Sequence, residues 1–409
     1  MQELQWSKTP LPGRASLLAA AVLLGALYAG STLVTPLYPL YQHRFGLSDL
    51  TITLVYATYV IGNLGALSAF GHVSDQAGRR DISLLMLAVG GASALLFLLA
   101  VHPAMLFLAR AASGLAIGVG AATATAWIAD LYASADKARA SRLAAAVNLA
   151  GLASGVLVAG LLAQFVPWPL RTVFLVYLLM LVVTAAFTVR TRETVDLSVR
   201  ANAQLSFKPR IGVPSGSRAA FVAPAVTAFA TFALLGFYAA LLPNLLANSM
   251  HMHSPATSGA IVAELFAAGA VTVALTPLLP SRVTMLTGLV LLPPSLGLLL
   301  WAQAAGSIVL LILASALCGI ASAFGFRGSL QEVNRIAPPQ QRAELLSAYL
   351  LCCYSGNSLP AVGVALLSRH VGHLRANVAF AAVCVTLALV ALAIGIRQAR
   401  REDRQTAME

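Results

Sequence analysis

The chain of 409 residues is 59% hydrophobic and only 10% charged, and its formal net charge is +12. An average soluble domain carries about 25% charged residues, so a soluble fold of this composition would expose large apolar patches. The basic residues stand at the ends of apolar runs and in short loops rather than along one groove, which argues against nucleic acid as a partner. Composition therefore indicates a protein that crosses a membrane many times.

Long apolar runs follow one another along the whole chain, each long enough to cross a hydrocarbon core of about 30 Å as a helix. Strands that alternate apolar and polar residues are missing from the pattern, so we predict an all-α membrane protein rather than a barrel. The first run is too long for a signal-peptide core and is interpreted as a retained helix. The twelve predicted spans are 15–40, 50–71, 82–101, 104–129, 142–165, 169–189, 219–247, 256–280, 283–303, 305–330, 343–368 and 374–396.

The distribution of basic residues predicts the orientation. If both termini are cytoplasmic, 21 of the 26 Lys and Arg residues lie on the cytoplasmic side, four lie on the other side and Arg110 falls within a span. Cytoplasmic loops carry the excess of basic residues in membrane proteins. We therefore predict a multi-pass protein of the cell inner membrane with cytoplasmic N- and C-termini.

The longest interval between spans, 190–218, is basic and contains "GVPSGSR". This composition suits a cytoplasmic linker between an N-terminal six-helix bundle at 1–189 and a C-terminal six-helix bundle at 219–409. Segments of the two halves also align weakly with a shift of 203 residues, which places Gly160 on Gly363. The chain is thus predicted to contain two pseudo-symmetric repeats.

The interval between the second and third spans reads "GHVSDQAGRR". It resembles the motif G-x-L-x-D-x-x-G-R-[KR] of the major facilitator superfamily, with valine in place of leucine. The matching residues are Gly71, Asp75, Gly78, Arg79 and Arg80. Twelve spans, a basic central linker and a cytoplasmic N-terminus agree with the resemblance. It implies the major facilitator fold and a secondary active transporter that binds its substrate near mid-membrane.

The resemblance also implies that this interval is a conformational latch. Its glycines give a short turn backbone freedom, and Asp75 is placed to accept hydrogen bonds from a helix N-terminus. Arg79 and Arg80 are expected to pair with a neighbouring carboxylate, for which Asp130 at the end of the fourth span is best placed. Alternatively, these charges only cap and orient short turns. The corresponding turn of the second half keeps only Arg282, so a second latch is predicted to be weak or absent.

Charged groups within spans are candidates for function because they are costly there. Arg110 and Gly114 match a second family pattern, R-x-x-x-G, whose arginine is linked in relatives to proton coupling or anionic groups; the alternative is a snorkelling arginine. Glu264 is the only acid well inside a span, and it suits a proton carrier or a counter-charge for a cation, or else a partner for a nearby polar group. The repeat shift places Asn63 near the equivalent position, so the two are expected to face a shared central cavity.

Further candidates are less specific. Arg327 lies either at the cytoplasmic end of the tenth span or two turns inside it. A role at the surface or in a linker, including pairing with Glu332, is equally expected. Tyr38 is one of several tyrosines within spans that either line the substrate path or form an interfacial belt.

The fifth span contains "GLASGVLVAG", which resembles an antiporter signature without its proline. Its small residues, Gly151, Gly155 and Gly160, also permit close helix contact, which is the alternative interpretation.

A nucleotide-binding loop of the Walker type and intramembrane catalytic pairs are both missing from the sequence, so neither ATP hydrolysis nor an enzyme is predicted, and no metal or cofactor is expected. The favoured function is proton-coupled efflux of a small organic solute by a monomeric carrier, with the substrate, protons and the lipid bilayer as partners. Proton-coupled uptake of a sugar, organic acid or siderophore is the alternative. A non-transporting membrane receptor or scaffold is the alternative from another class.

Overall fold

The computed structural model describes residues 11–70, 73–132, 137–195, 212–276 and 278–406, and within these ranges the chain is helical without strands. Helices suit so apolar a sequence because each satisfies its own backbone hydrogen bonds. The long helices are α1 (Gly13–Thr32), α2 (Asp49–Phe70), α3 (Arg79–Leu98), α4 (Pro103–Leu131), α5 (Lys137–Phe165), α6 (Pro169–Arg190), α7 (Arg218–Ala240), α8 (Pro255–Leu275), α9 (Ser281–Ala305), α10 (Ile308–Ile336), α11 (Arg342–Val371) and α12 (His373–Thr406).

A long helix lies at each of the predicted spans. Among the described residues, 11 helical segments are long and apolar enough to cross a membrane, and α2, with 22 residues, occupies the remaining predicted position. The prediction of an all-α membrane protein is confirmed.

The first and seventh spans are each broken near one end. After α1 the chain forms a single 3₁₀ turn, Thr35–Leu37, and then a short helix, Tyr38–Phe45. After α7 it forms a short helix, Leu242–Ser249. Each short helix has a proline in its first turn, where the missing N–H costs no helical hydrogen bond. The break therefore falls at related places in the two halves of the chain.

The first six helices pack mainly on one another, as do the last six; we call these groups the N-terminal and C-terminal bundles. The bundles meet along two helix pairs, α5 with α8 and α2 with α11. At the α5–α8 contact, a Cβ built on Gly160 would lie only 2.6 Å from the carbonyl oxygen of Pro255. Glycine at this position therefore lets the two backbones touch.

The helices end at two opposite faces of the molecule. The latch face contains Arg79, Asp130 and the chain that follows α6, which contact one another. The opposite face contains the start of α2 and the start of α12, where Asp49 lies near His373.

Candidate substrate and coupling site

Arg110 lies at the centre of the N-terminal bundle, and none of its side chain is exposed. Its Nε and Nη2 atoms both donate to the Tyr38 hydroxyl, at 2.9 Å and 2.5 Å, and its Nη1 atom donates to the Ser31 carbonyl at 2.9 Å. These partners come from α1 and from the short helix after it. The guanidinium thus ties α4 to the broken end of the first span, rather than reaching the surface as a snorkelling arginine would.

Three aromatic rings surround the same guanidinium. The Cζ atom of Arg110 lies 5.6 Å from the ring centroid of Tyr38, 5.7 Å from that of Tyr56 and 5.6 Å from that of Tyr59. Cation–π attraction is strongest where both groups have lost water. The tyrosine faces therefore stabilise a charge for which the structure records no acidic partner among the described residues.

Gly114 explains how α2 comes close enough to supply these rings. A Cβ on Gly114 would lie 2.1 Å from the backbone oxygen of Tyr59, which no side chain tolerates. Because Gly114 follows Arg110 by about one turn, the R-x-x-x-G spacing places the arginine beside the closest approach of α2 and α4. The motif therefore has a packing reason for its glycine.

Asn63 extends the cluster by one turn of α2. It is fully buried, and its Nδ2 atom donates to the Tyr59 hydroxyl at 3.2 Å. Its Oδ1 atom is buried without a hydrogen-bond partner in the described part of the chain. A buried polar atom without a partner is costly, so this amide is a natural place for a water molecule or a substrate donor.

The cluster continues into the C-terminal bundle through α11. The Tyr56 hydroxyl is within hydrogen-bond reach of Asn357, and the Tyr354 hydroxyl is within reach of Asn63. Side chains of both bundles therefore meet around Arg110. We call the set Tyr38, Tyr56, Tyr59, Asn63, Arg110, Tyr354 and Asn357 the central cluster.

Glu264 lies outside the central cluster. It is half-buried on α8, on the helix face that also exposes Ala260, Ala267, Val271 and Leu275. The shared central cavity expected for Glu264 and Asn63 stays a prediction; among the described residues no hydrogen bond or ion pair joins the two side chains. The helical phase of α8 explains this, because its other faces pack on α5 and α10.

Arg327 lies on α10 near the latch face and is likewise outside the central cluster. Its Nη1 atom donates to the backbone oxygen of Thr276, and to the Thr276 hydroxyl at 3.1 Å. Thr276 ends α8, so the guanidinium caps carbonyl groups at the negative end of that helix. Of the five predicted coupling residues, the structure brings together Arg110, Tyr38 and Asn63, and it separates Glu264 and Arg327 from them.

The predicted latch residues form an ion-pair network at the start of α3. Arg79 pairs with Asp75, which lies in the short helix Val73–Ala77, and its Nη1 atom donates to the Ser74 hydroxyl at 2.8 Å. Its Nε atom lies 3.2 Å from Asp130 Oδ2 at the end of α4. Arg79 is thus the residue that joins the motif to the fourth span.

The other motif residues are less connected. The Arg80 Nε atom lies 3.7 Å from Oδ1 of its neighbour Asp81, both side chains being substantially exposed, and within the described part of the chain no ion pair joins Arg80 to another span. Gly78 has a φ of 105°, a conformation that favours glycine, so the backbone of this turn requires a glycine at this position. Gly71 lies outside the described residues.

Glu193, just after α6, caps the N-terminus of α3, the role predicted for Asp75. Its carboxylate accepts the backbone N–H groups of Arg79 at 3.0 Å and Arg80 at 2.9 Å. Partial burial tends to raise the pKa of this carboxyl, but four donated backbone hydrogen bonds, including those of Thr194 and Val195, outweigh it and hold the pKa below its usual value.

Other contacts fix the same segment across the latch face. The Trp127 indole N–H donates to the Arg192 carbonyl at 3.0 Å, and the Thr194 hydroxyl donates to Asp130 at 3.1 Å. The chain after α6 therefore joins the ends of α4 and α6 to the start of α3. A lone acid in the basic stretch "RTRET" was the only sequence signal for it.

A family model described as Major Facilitator Superfamily matches residues 20–361, which is most of the chain. The chain belongs to the major facilitator superfamily. The resemblance predicted from "GHVSDQAGRR" is confirmed, and the superfamily to which the chain belongs is one of multi-pass membrane transporters rather than of enzymes.

Two curated relatives of this major facilitator are similar over part of their length. One is the puromycin resistance protein pur8 of Streptomyces alboniger, 34% identical over 150 residues, or 36% of this chain and 29% of that protein. The other is the cephamycin export protein CmcT of Amycolatopsis lactamdurans, 30% identical over 176 residues, or 42% of this chain and 36% of that protein. The chain thus spans about a third of the length of the curated relatives it matches.

Solved structures share the fold at low identity. A bacterial homolog of the human lysosomal transporter Spinster, inward-facing and unoccupied, matches with a TM-score of 0.70 at 16% identity, over 94% of this chain and 98% of that one. A POT family transporter in complex with 5-aminolevulinic acid matches with a TM-score of 0.73 at 13% identity, over 94% and 96% of the two chains. These likenesses concern the fold.

The C-terminal bundle of this major facilitator has an ion-pair network of its own on the latch face. Glu332 of α10 is buried; it accepts the Ser281 hydroxyl at 2.9 Å and lies 3.6 Å from Arg282 and 2.5 Å from Arg335. The structure thus has an ion-pair network in the half where the sequence predicts at most a weak latch. The turn itself lacks an acid, but α10 supplies one to the start of α9, as α4 does to the start of α3.

The glycines of α5 are contact points in this major facilitator. A Cβ on Gly151 would lie 2.6 Å from the Gly25 carbonyl oxygen, and one on Gly155 would lie 2.3 Å from the Ala29 carbonyl oxygen. Both therefore face α1, whereas Gly160 faces α8. One helix thus uses small residues both within its bundle and between the bundles.

Proposed function

We propose that the protein is a proton-coupled exporter of small organic compounds that works by alternating access between the N-terminal and C-terminal bundles. The observation that carries the proposal is the central cluster, because a buried, aromatic-lined cation lies where side chains of both bundles meet. Substrate sites of secondary transporters lie near the midplane between repeats. Two relatives named for puromycin resistance and cephamycin export favour the outward direction.

In this proposal the latch face is cytoplasmic, the protein is a monomer of the inner membrane, and both termini are inside. The distribution of Lys and Arg supports the orientation, with 21 of 26 on that side. The moving units are the proposed bundles 1–189 and 219–409, joined by the proposed linker 190–218. The Arg79–Asp130 pair and its surrounding contacts then act as the cytoplasmic latch.

The proposed mechanism separates two charged groups. Arg110 holds a fixed positive charge at the meeting point of the bundles and binds the polar part of the substrate together with the tyrosine hydroxyls. Glu264, the acid inside α8, takes up and releases the proton, because a carboxylate at membrane depth is far more costly when charged. Asn63 offers a free amide oxygen to a substrate donor, and rocking of the bundles exposes the cluster to each side in turn.

Flux into and out of proteoliposomes with an imposed pH gradient tests the proposal, with puromycin and a cephamycin as the first probes of a wider panel. We expect gradient-driven accumulation on the side that is acidic, as proton exchange requires. Glu264→Gln is expected to remove the dependence on the gradient while counterflow persists, and Arg110→Lys to weaken counterflow itself. Glu344→Gln, at the start of α11, is the matched control. Gradient-driven movement in the opposite direction would establish uptake instead.

A further inference from the structure

The start of α2 gathers polar groups of both bundles at the opposite face. Asp49 Oδ1 accepts the side-chain amide of Gln42 at 2.7 Å and that of Asn244 at 3.1 Å, and Asp49 Oδ2 lies 3.8 Å from His373 Nε2. Asn244 follows α7 and His373 begins α12, so one carboxylate of the N-terminal bundle is shared by two elements of the C-terminal bundle.

A second bond and a small cavity complete this junction. The Arg369 guanidinium, at the end of α11, donates to the Ser48 hydroxyl at 2.7 Å. The cavity beside it is lined by Asp49 and His373 together with apolar side chains of the short helix Leu242–Ser249 and of α11, including Leu245 and Val364. The bundles are therefore joined at this face by side chains that separate whenever it opens.

We propose that His373 and Asp49 form a proton-binding site that closes this face of the transporter. The imidazole is the side chain that gains charge on mild acidification, and its nitrogen lies opposite the carboxylate oxygen that accepts neither amide. The imidazolium attracts the carboxylate only while the bundles are in contact, so the closed state binds the proton more tightly than the open state. By linkage, acidification then favours the closed state.

The charges around His373 set the direction of this effect. The other charged or imidazole groups near this junction, on the elements packed there, are basic: His43 and Arg44 on the short helix Tyr38–Phe45, Arg369 and His370 on α11, Arg375 on α12, and His251 and His253 after the short helix Leu242–Ser249. These oppose protonation in either state. Asp49 is the acid at this face among the described residues, and its contact with His373 exists only across the junction.

The orientation of the His373–Asp49 site in the membrane and its role in transport both rest on the proposed function. If the opposite face is external, a proton from outside closes the outer gate after substrate release and returns the carrier to the inward-facing state. That order suits exchange of an external proton for an internal substrate. The proton site would then be distinct from Glu264 and would drive a conformational step rather than the binding step.

Distances between spin labels test the site without any substrate. Labels on Ala104→Cys and Ala305→Cys, both exposed at the opposite face on different bundles, report closure in nanodiscs once the native cysteines are replaced. Between about pH 8 and about pH 5.5, where histidine titrates, we expect the ratio of short to long distances to rise roughly threefold, the scale of a partly exposed ion pair.

Three variants decide the outcome. His373→Gln and Asp49→Asn are each expected to abolish the pH response, whereas His373→Arg, with a permanent charge, is expected to be closed at both pH values. His370→Gln, on the neighbouring turn, should retain the full response. A wild-type chain without a pH response, or a His373→Gln chain that keeps it, overturns the proposal. A preserved response without gradient-driven flux would leave the site standing and overturn proton-coupled export.

Discussion

The two bundles secure the latch face with different chemistry at equivalent places. In the N-terminal bundle Arg79 joins Asp130 of α4, which is 38% exposed, and Glu193 caps α3 from outside the turn. In the C-terminal bundle one glutamate, Glu332, gathers the start of α9, and its side chain is only 6% exposed. Arg282 follows Arg79 by the same 203 residues that separate the aligned glycines. The two repeats thus share the position of an ion pair between helices, but not the acidic residues that form it.

The centres of the bundles differ in the same way. Tyr38 meets the Arg110 guanidinium in the first bundle, whereas the Ser315 hydroxyl donates to Tyr238 at 3.0 Å in the second. The first pair joins the short helix after α1 to α4, and the second joins α7 to α10, so both connect the first span of a bundle to its fourth. Only the first pair carries a charge, so the N-terminal bundle has a fixed positive charge where the C-terminal bundle has a neutral pair of hydroxyl groups.

The largest expected effect follows from that contrast. Arg110→Gln removes the charge that three tyrosine rings surround, and we expect gradient-driven flux of any panel compound that the wild type transports to fall by more than about tenfold, since hydrogen bonds to charged groups are worth about 1.5–3 kcal/mol. Ser315→Ala, the control in the other bundle, is expected to stay within about twofold. Equal losses in the two variants would show that the charge has no special role.

A second comparison concerns the stability of the two ion-pair networks. Glu332→Gln leaves two arginines beside a buried neutral amide, and we expect a loss of about 2–3 kcal/mol in the free energy of unfolding. Asp130→Asn, at a more exposed position, is expected to cost less than about 1 kcal/mol. Denaturation of the purified variants in matched detergent measures both. A larger loss for the Asp130 variant would reverse the ranking.

The aligned glycines give a matched pair for the contact between bundles. Gly160→Ala places a methyl group against the Pro255 carbonyl, and we expect a cost of about 1–2 kcal/mol from overpacking. Gly363→Ala meets no atom within 4 Å and is expected to be neutral. Melting temperatures and proteoliposome flux together check this, and a neutral Gly160→Ala would mean that the helices separate there without penalty.

The smallest effect is a pH-dependent one at Glu193. Because the folded-state pKa is depressed below the ordinary 4.5, the carboxylate stabilises the fold above that value, and this contribution disappears as the pH falls through the lowered pKa. Glu193→Gln is expected to cost about 1 kcal/mol at neutral pH, after solvent screening, and the difference from wild type should shrink below about pH 4.5. A difference that is constant with pH would point to lost packing instead.

Hydropathy and one motif predicted much of this molecule. The spans follow from the length of apolar runs, and the Arg79–Asp130 pair follows from a motif placed beside the end of the fourth span. The site was less predictable because it depends on helical phase and on packing between bundles. The sequence offers Glu332 as a partner of Arg327. In the structure the Glu332 carboxylate contacts the start of α9, and the Arg327 guanidinium caps the end of α8.

The tyrosines show the same limit. The several tyrosines within spans are indistinguishable by sequence, and only the approach of α2 to α4 and α11 selects Tyr56, Tyr59 and Tyr354 for the central cluster. The sequence did not reveal the capping role of Glu193 because the N–H groups that it caps at the start of α3 are more than 110 residues away. Patterns in sequence reveal which residues are unusual, but not which neighbours they acquire.

The bare backbone contact between Gly160 and Gly259 has a mechanical meaning. A Cβ on Gly259 would lie 2.7 Å from the Val156 carbonyl oxygen and 3.1 Å from Gly160 Cα. Because no side chain lies between the two backbones there, one helix can roll on the other without any side chain changing its rotamer. The contact can therefore serve as a pivot between the two bundles. The stiffness of this pivot is set by main-chain geometry rather than by the chemistry of the substrate.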